Sequence, residues 1–285
     1  MEIVGEDELV SFSSKARIVT RSCYAVRMDS ACRVKNYKDL ARKIAALQFG
    51  NPGLMLLFRG QAKNYTRLAK GQVKLTSLPP KIFRASSGSG PSSNLLLRRF
   101  QRLKTQEAAL VKKYEEAGYP KPERLQRQRI LRWSILQHYE VCATPLLDVT
   151  HSIRVAASFA SDGAEGEAYV YVLGVPNLSG AITVSAEAGL QIIRLSGVCP
   201  PDAERPHIQE GYVLGEYPDL AEYGQKELYR NHEVDFGRRL IAYFTFDPKS
   251  FWKSSPEFQK VDHAALYPDD DPLFRVTKKL KSRKP

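Results

Sequence analysis

The sequence offers little sulfur chemistry. Its four cysteines, Cys23, Cys32, Cys142 and Cys199, are scattered and form no C-x-x-C pair. Neither a disulfide framework nor a zinc site is signalled, and buried thiols are expected. No run reaches the roughly 18 consecutive apolar residues of a membrane span. The first ten residues, MEIVGEDELV, carry acids where a secretory signal carries a basic segment and a long apolar stretch. A cytoplasmic chain without a membrane partner is the expectation. Internal repeats and low-complexity arrays are also lacking. What the chain does have is length and charge. Its 285 residues suffice for an ordinary core without cross-links, and 43% hydrophobic with 26% charged residues excludes disorder, collagen and coiled coil as the dominant state. Lys and Arg number 43 against 31 Asp and Glu, a formal net charge of +12, which attracts phosphates or acidic partners at long range.

Residues 1–35 show no clear period, and a strand is expected there only near 23–28. A helix follows. Asn36 caps NYKDLARKIAAL, Asp39 lies in its first turn, and Leu40, Ile44 and Leu47 share a face. Asn51-Pro52-Gly53 stops it, and the all-apolar run 54–58 reads as a strand buried on both faces, ending at Arg59-Gly60-Gln61. Residues 85–93, ASSGSGPSS, read as a flexible loop, and 95–133 as basic helix interrupted near 118–122. LLDVT at 146–150 reads as a strand and 152–160 as a helix, with Ile153, Ala156, Ala157 and Ala160 forming its packing face and a corner at Thr150. AYVYVLGV, LQIIRL, HIQEGYVL and LIAYFTF are further strands. The tail RVTKKLKSRKP, 275–285, is basic and expected to be mobile. These elements predict a single α+β domain. Its β-rich core of mixed and antiparallel sheets spans 36–84 and 134–250, with flanking helices and a basic helical insertion at 92–133.

Three segments carry candidate chemistry. In Phe58-Arg59-Gly60-Gln61 an arginine emerges from a buried strand, where its guanidinium can take a phosphate pair bidentately and the glycine lets a ligand approach the backbone. An arginine so placed also serves by pairing with an acid at the sheet edge. Gln137-His138-Tyr139 with Thr144 to Ser152 gathers a tyrosine, His138 and His151, Asp148 and hydroxyls around one strand-helix corner. The positions 138, 148 and 151 have no zinc spacing, so no metal is expected, and Asp148 or Thr150 can simply cap the next helix. In Arg205 to Tyr212, read as a strand, Gln209 and Gly211 share one face while Glu210 and Tyr212 share the other. Either an amide or a carboxylate then faces a cleft, and a solvated glutamate accounts for the segment equally.

Taken in order, Phe-Arg-Gly-Gln, Gln-His-Tyr, Thr-x-Leu-Leu-Asp-x-Thr, a small-residue helix ending Phe159-Ala160, and Arg-x-x-x-Gln-x-Gly-Tyr resemble the FRG domain family. The likeness runs from about Arg59 to Tyr212 and reaches more loosely to the helix before it and to LYPD at 266–269. Glu140-Val141-Cys142-Ala143 replaces a shorter Gly-Leu-Pro link, and Val149 stands where the family often has tryptophan. The order of motifs is in turn similar to the mono-ADP-ribosyltransferases, which implies an ADP-ribosyltransferase-like core with NAD as substrate. By that resemblance Arg59, Thr150, Ser152, Gln209 and Glu210 form the catalytic set. Arg59, Gly60, Gln61, His138, Tyr139, Asp148 and Tyr212 hold the dinucleotide, and the acceptor is a protein or nucleic acid. A toxin or defence effector restrained by an inhibitory partner protein fits the same reading.

A competing class is a non-catalytic module. Residues 98–132 hold eleven Lys or Arg (98, 99, 102, 104, 112, 113, 121, 124, 127, 129 and 132) against Glu107, Glu115, Glu116 and Glu123. With the basic tail, that surplus suits a nucleic acid bound through its phosphates, or a protein partner. Sparse aromatics in this stretch argue against reading of base sequence, and a solvated helix face accounts for the charges as well.

Overall fold

Local signals place most elements of the computed structural model, which describes residues 1–5, 8–69, 72–84, 90–229 and 233–281. In chain order these are β1 (Leu9–Phe12), β2 (Ile18–Arg21), α1 (Cys23–Met28), β3 (Cys32–Arg33), α2 (Tyr37–Gly50), β4 (Met55–Gln61), β5 (Thr66–Leu68) and β6 (Lys74–Thr76). Next come α3 (Ser93–Glu116), α4 (Pro122–Arg127), α5 (Arg129–His138), β7 (Leu146–Thr150), α6 (Ile153–Ser161), β8 (Ala168–Val175), β9 (Ile182–Ser185) and β10 (Leu190–Arg194). The last are α7 (Glu204–Ile208), β11 (Gly211–Glu216), α8 (Tyr223–Leu228), β12 (Leu240–Phe246), α9 (Pro248–Lys253), α10 (His263–Leu266) and α11 (Pro272–Lys281). The class is α+β, as expected. The chain forms two compact units, neither contiguous in sequence. Unit one comprises 1–78, 149–178 and 235–265, and unit two comprises 79–148, 179–234 and the described residues from Leu266 on. No helix among the described residues is long and apolar enough to cross a membrane.

In unit one the strands run in the order β3-β12-β8-β4-β7, parallel between β3 and β12 and antiparallel elsewhere. β4 is paired on both sides, and Leu56, Leu57 and Phe58 are buried, as the all-apolar run requires. The strand continues through Arg59 and Gly60 to Gln61 rather than stopping before them. α2 forms as its pattern dictates: Asn36 accepts from the Asp39 amide, and Leu40, Ile44 and Leu47 are buried. The segment 23–28 corrects the expectation of a strand. It is helix α1, capped by Ser22. Its buried Arg27 donates to Asp235 Oδ2 at 2.7 Å and to the Thr76 carbonyl at 2.9 Å. Asp235 also accepts from Ser77 Oγ and from the Leu78 and Gly237 amides. A buried ion pair satisfied on so many sides fixes a local conformation that six residues of sequence do not announce.

In unit two β9, β10 and β11 form an antiparallel ladder. A core of Leu96, Phe100, Leu103, Leu110, Trp133, Leu136, Ile193, Val213, Leu273 and Leu280 joins α3, α5, β10, β11 and α11. The expected interruption at 118–122 is the gap between α3 and α4, where Gly118 takes φ +71°. Two expectations fail here. Residues 204–208 are helix α7 with Gln209 as its cap, and Glu210 turns through φ +43°, so β11 begins only at Gly211 and the two-residue alternation does not reach 209 or 210. Residues 275–281 are not a mobile tail but part of α11, which buries Leu273, Thr277 and Leu280. Positions 282–285, and 85–89 of the serine-glycine loop, lie outside the described residues. Cys23, Cys32 and Cys142 are buried thiols, whereas Cys199 is half-buried.

Candidate functional site

In unit one the site is set by register. Phe58 lies opposite Thr150, Arg59 opposite Tyr171 and Gln61 opposite Tyr169. Opposed residues in a sheet point to the same face and strand neighbours to opposite faces. One face therefore carries Arg59, Gln61, Tyr169 and Tyr171, and the other Phe58, Gly60 and Thr150. α6 covers the second face. A Cβ on Gly60 would lie 1.8 Å from the Ala156 carbonyl oxygen, so the glycine admits a helix rather than a ligand.

Thr150, buried, accepts from the Ser152 amide at 3.0 Å, and half-buried Ser152 caps α6 by accepting from the Val155 amide. The cap expected of Asp148 or Thr150 thus belongs to Ser152. On the face opposite α6, Arg59, Gln61 and Tyr169 are half-buried. Tyr171 is fully buried, donates to Asn64 Oδ1 at 2.9 Å and stacks on Tyr243 with ring centroids 5.8 Å apart. The buried Oε1 of Gln61 meets no hydrogen-bond donor among the described residues.

Unit two holds the other predicted residues. Asp148 accepts from Gln137 Nε2, Gln137 Oε1 accepts from Thr144, and Asp148 Oδ1 lies 3.4 Å from His138 Nδ1. His138 is buried. Burial holds its imidazole below the ordinary value of 6.5, against the opposing pull of the Asp148 hydrogen bond. Tyr139 is also fully buried, and its hydroxyl donates to Asp271 Oδ2 at 2.9 Å. Asp271 further accepts from the Arg205 amide at 2.9 Å and, through Oδ1, from the Phe274 amide, which caps α11. The Arg205 guanidinium stands 4.4 Å over the Tyr267 ring and 5.5 Å over that of Tyr139. Gln209 is buried and donates to the Leu266 carbonyl at 2.6 Å, Glu210 is exposed, and Tyr212 is half-buried opposite Arg194 on β11.

The structure thus gathers Arg59 and Gln61 on one face, with Thr150 on the other and Ser152 capping α6. It gathers Gln137, His138 and Asp148 in a second cluster. Tyr139 and Gln209 bond into the framework of unit two, and Glu210 and Tyr212 remain accessible. Sequence reasoning missed Tyr169 and Tyr171, although the alternation of AYVYVLGV carries their common face. It missed Asp271 as well, whose Asp-Pro step is the signature of a cap followed by proline at the first helical position. No group of three or more His, Cys, Asp or Glu among the described residues could hold a metal ion.

Residues 55–168 match the family model described as the FRG domain. The match runs from β4 through α6 to the first residue of β8, and over that stretch the likeness read from the motifs is borne out. Gln209, Glu210, Tyr212 and the LYPD segment lie beyond it. No curated protein and no solved structure matches the chain.

Proposed function

We propose that this protein is an NAD-dependent ADP-ribosyltransferase that modifies a macromolecular acceptor. The observation that carries the reading is the face of β4 on which Arg59 and Gln61 stand opposite Tyr171 and Tyr169. A guanidinium on a strand paired along its length with β8 is preorganised for a pyrophosphate. The Gln61 Oε1, buried without a donor among the described residues, suits a ribose hydroxyl, and half-buried Tyr169 offers its ring to a base. The fit is partial. Gly60 is covered by α6 and Tyr139 is sealed in a core, so neither belongs to the dinucleotide cradle. Within unit one the reading rests on Arg59, Gln61, Tyr169 and Ser152.

NAD supplies a nicotinamide-ribose bond whose cleavage sends the electron pair to nicotinamide and leaves positive charge on the ribose. The order of the motifs alone assigns Glu210 to that charge, because a carboxylate bonded to the ribose stabilises the transition state more than the ground state. Arg59 fixes the phosphates so that the acceptor nucleophile, losing its proton to solvent, meets the anomeric carbon at short range. An enzyme that consumes NAD in this way, as a toxin or defence effector, calls for a partner protein that restrains it.

Incubation with adenine-labelled NAD and a cell extract, following both nicotinamide release and transfer of label, tests the proposal. Arg59→Ala and Glu210→Gln should each slow release on the order of 100-fold, with the melting temperature kept. Turnover that survives both changes overturns the assignment, and so does a complete lack of NAD cleavage by the parent chain.

A further inference from the structure

The basic surplus of the chain is built into two helices that pack together. α11 carries Arg275, Lys278, Lys279 and Lys281 and no acid. Its Leu273 and Leu280 share a core with Leu96, Phe100, Leu103 and Leu110 of α3. Gln106 of α3 donates to the Leu280 carbonyl at 3.5 Å, and Lys112, Lys113 and Lys279 meet around one shallow hollow with Ala109 and Glu116. On α3, Arg98, Arg102 and Lys112 are exposed and fall within about a quarter of the helix circumference, turned away from the buried leucines. The acids nearby are engaged locally. Glu107 takes Arg132 at 2.9 Å and the Trp133 indole at 2.7 Å, and Glu116 is shared by Lys112 and Lys113.

We propose that the α3–α11 face binds the sugar-phosphate backbone of duplex nucleic acid without reading its sequence. The exposed cations of α3, from Arg98 to Lys112, span roughly 21 Å of helix axis, which suits a rod-shaped polyanion with a charge about every 1.7 Å. Among the described residues of these two helices, stacking on single strands lacks a platform. Phe100 and Tyr114 are buried, and Lys278 and Lys281 each stand 5.6 Å over the Phe274 ring. A lipid surface is disfavoured because α11 turns its leucines into the core of unit two rather than outward. Nothing in this inference depends on NAD, and its test contains none.

The full chain is titrated into two unrelated labelled duplexes of about 20 base pairs between roughly 50 and 200 mM salt, with anisotropy as the readout. Single-stranded DNA, polyglutamate and anionic vesicles serve as comparators. Equal affinity for the two duplexes is expected, with log K falling linearly against log salt. The pairs Arg98→Glu with Arg102→Glu, and Arg275→Glu with Lys278→Glu, should each weaken binding at least about 10-fold and flatten the slope by roughly one per charge removed. Arg33→Glu, in unit one, should change neither. Where a reversal lowers the melting temperature, Arg98→Gln and Lys278→Gln take its place and are read in the same way. The proposal is overturned by no duplex binding at the lowest salt, by affinity insensitive to these changes, or by tighter binding to vesicles, polyglutamate or single strands than to duplex.

Discussion

A side chain at position 60 has nowhere to go. Its Cβ would sit 1.8 Å from the Ala156 carbonyl and 2.7 Å from the Ala160 amide nitrogen, both backbone atoms of α6. Gly60→Ala should therefore cost at or above the upper end of about 1–3 kcal/mol, seen as a lower denaturant midpoint. A variant as stable as the parent would mean that α6 does not lie on β4. Arg59 was legible, because a charge ending an apolar run is visible in one dimension. The use made of Gly60 was not, since nothing near it in sequence says that residue 156 packs there.

His138 carries a pH prediction. Burial lowers its folded value below 6.5, so in acid the unfolded chain takes up a proton that the fold refuses. Stability present above pH 6.5 is lost as the pH falls below that value. Urea midpoints should drop between roughly pH 7.5 and 5.5, and His138→Gln should flatten that slope. Asp29 acts in a lower window: burial raises its carboxyl, but the Arg21 hydrogen bond and the Ser30 and Ser14 amides outweigh it and hold it below 3.8.

Among the elements, α11 separates two views of the chain most cleanly. A mobile tail predicts no effect of Leu280→Ala on stability. The helix seen here buries that side chain, and its truncation should cost about 2–5 kcal/mol by chemical denaturation. Ser152→Ala removes the cap of α6 and should cost about 1 kcal/mol. α2, β4, the break between α3 and α4, and the β7–α6 corner were legible because their signals are local: a cap, an apolar run, a glycine, a change of period. α1, α7 and α11 were not. α1 is settled by Asp235 far along the chain, α7 ends at a left-handed Glu210 that strand-like composition hides, and α11 depends on leucines whose partners lie on α3. The candidate face on β4 was half legible, since pairing Arg59 with Tyr171 needs a register between strands distant in sequence.

For the molecule as a whole, the expectation of buried thiols has a chemical test. Burial pushes Cys23 up to about 11 and Cys142 and Cys199 up to about 12, so even half-buried Cys199 should resist alkylation at neutral pH. Mass spectrometry should find these three thiols slow to label in the native protein and all reactive in denaturant. Rapid native labelling of Cys199 would contradict its surroundings.

The interleaving of the two units bears on how the chain is made. Unit one needs residues as late as 265, and the core of unit two needs Leu280. Until residue 265 has emerged from the ribosome unit one lacks part of its chain, and until Leu280 has emerged the hydrophobic interior of unit two cannot close. Folding therefore waits for synthesis to run nearly to the end of these residues, and a product cut short before α11 leaves greasy surface for chaperones and proteases to find.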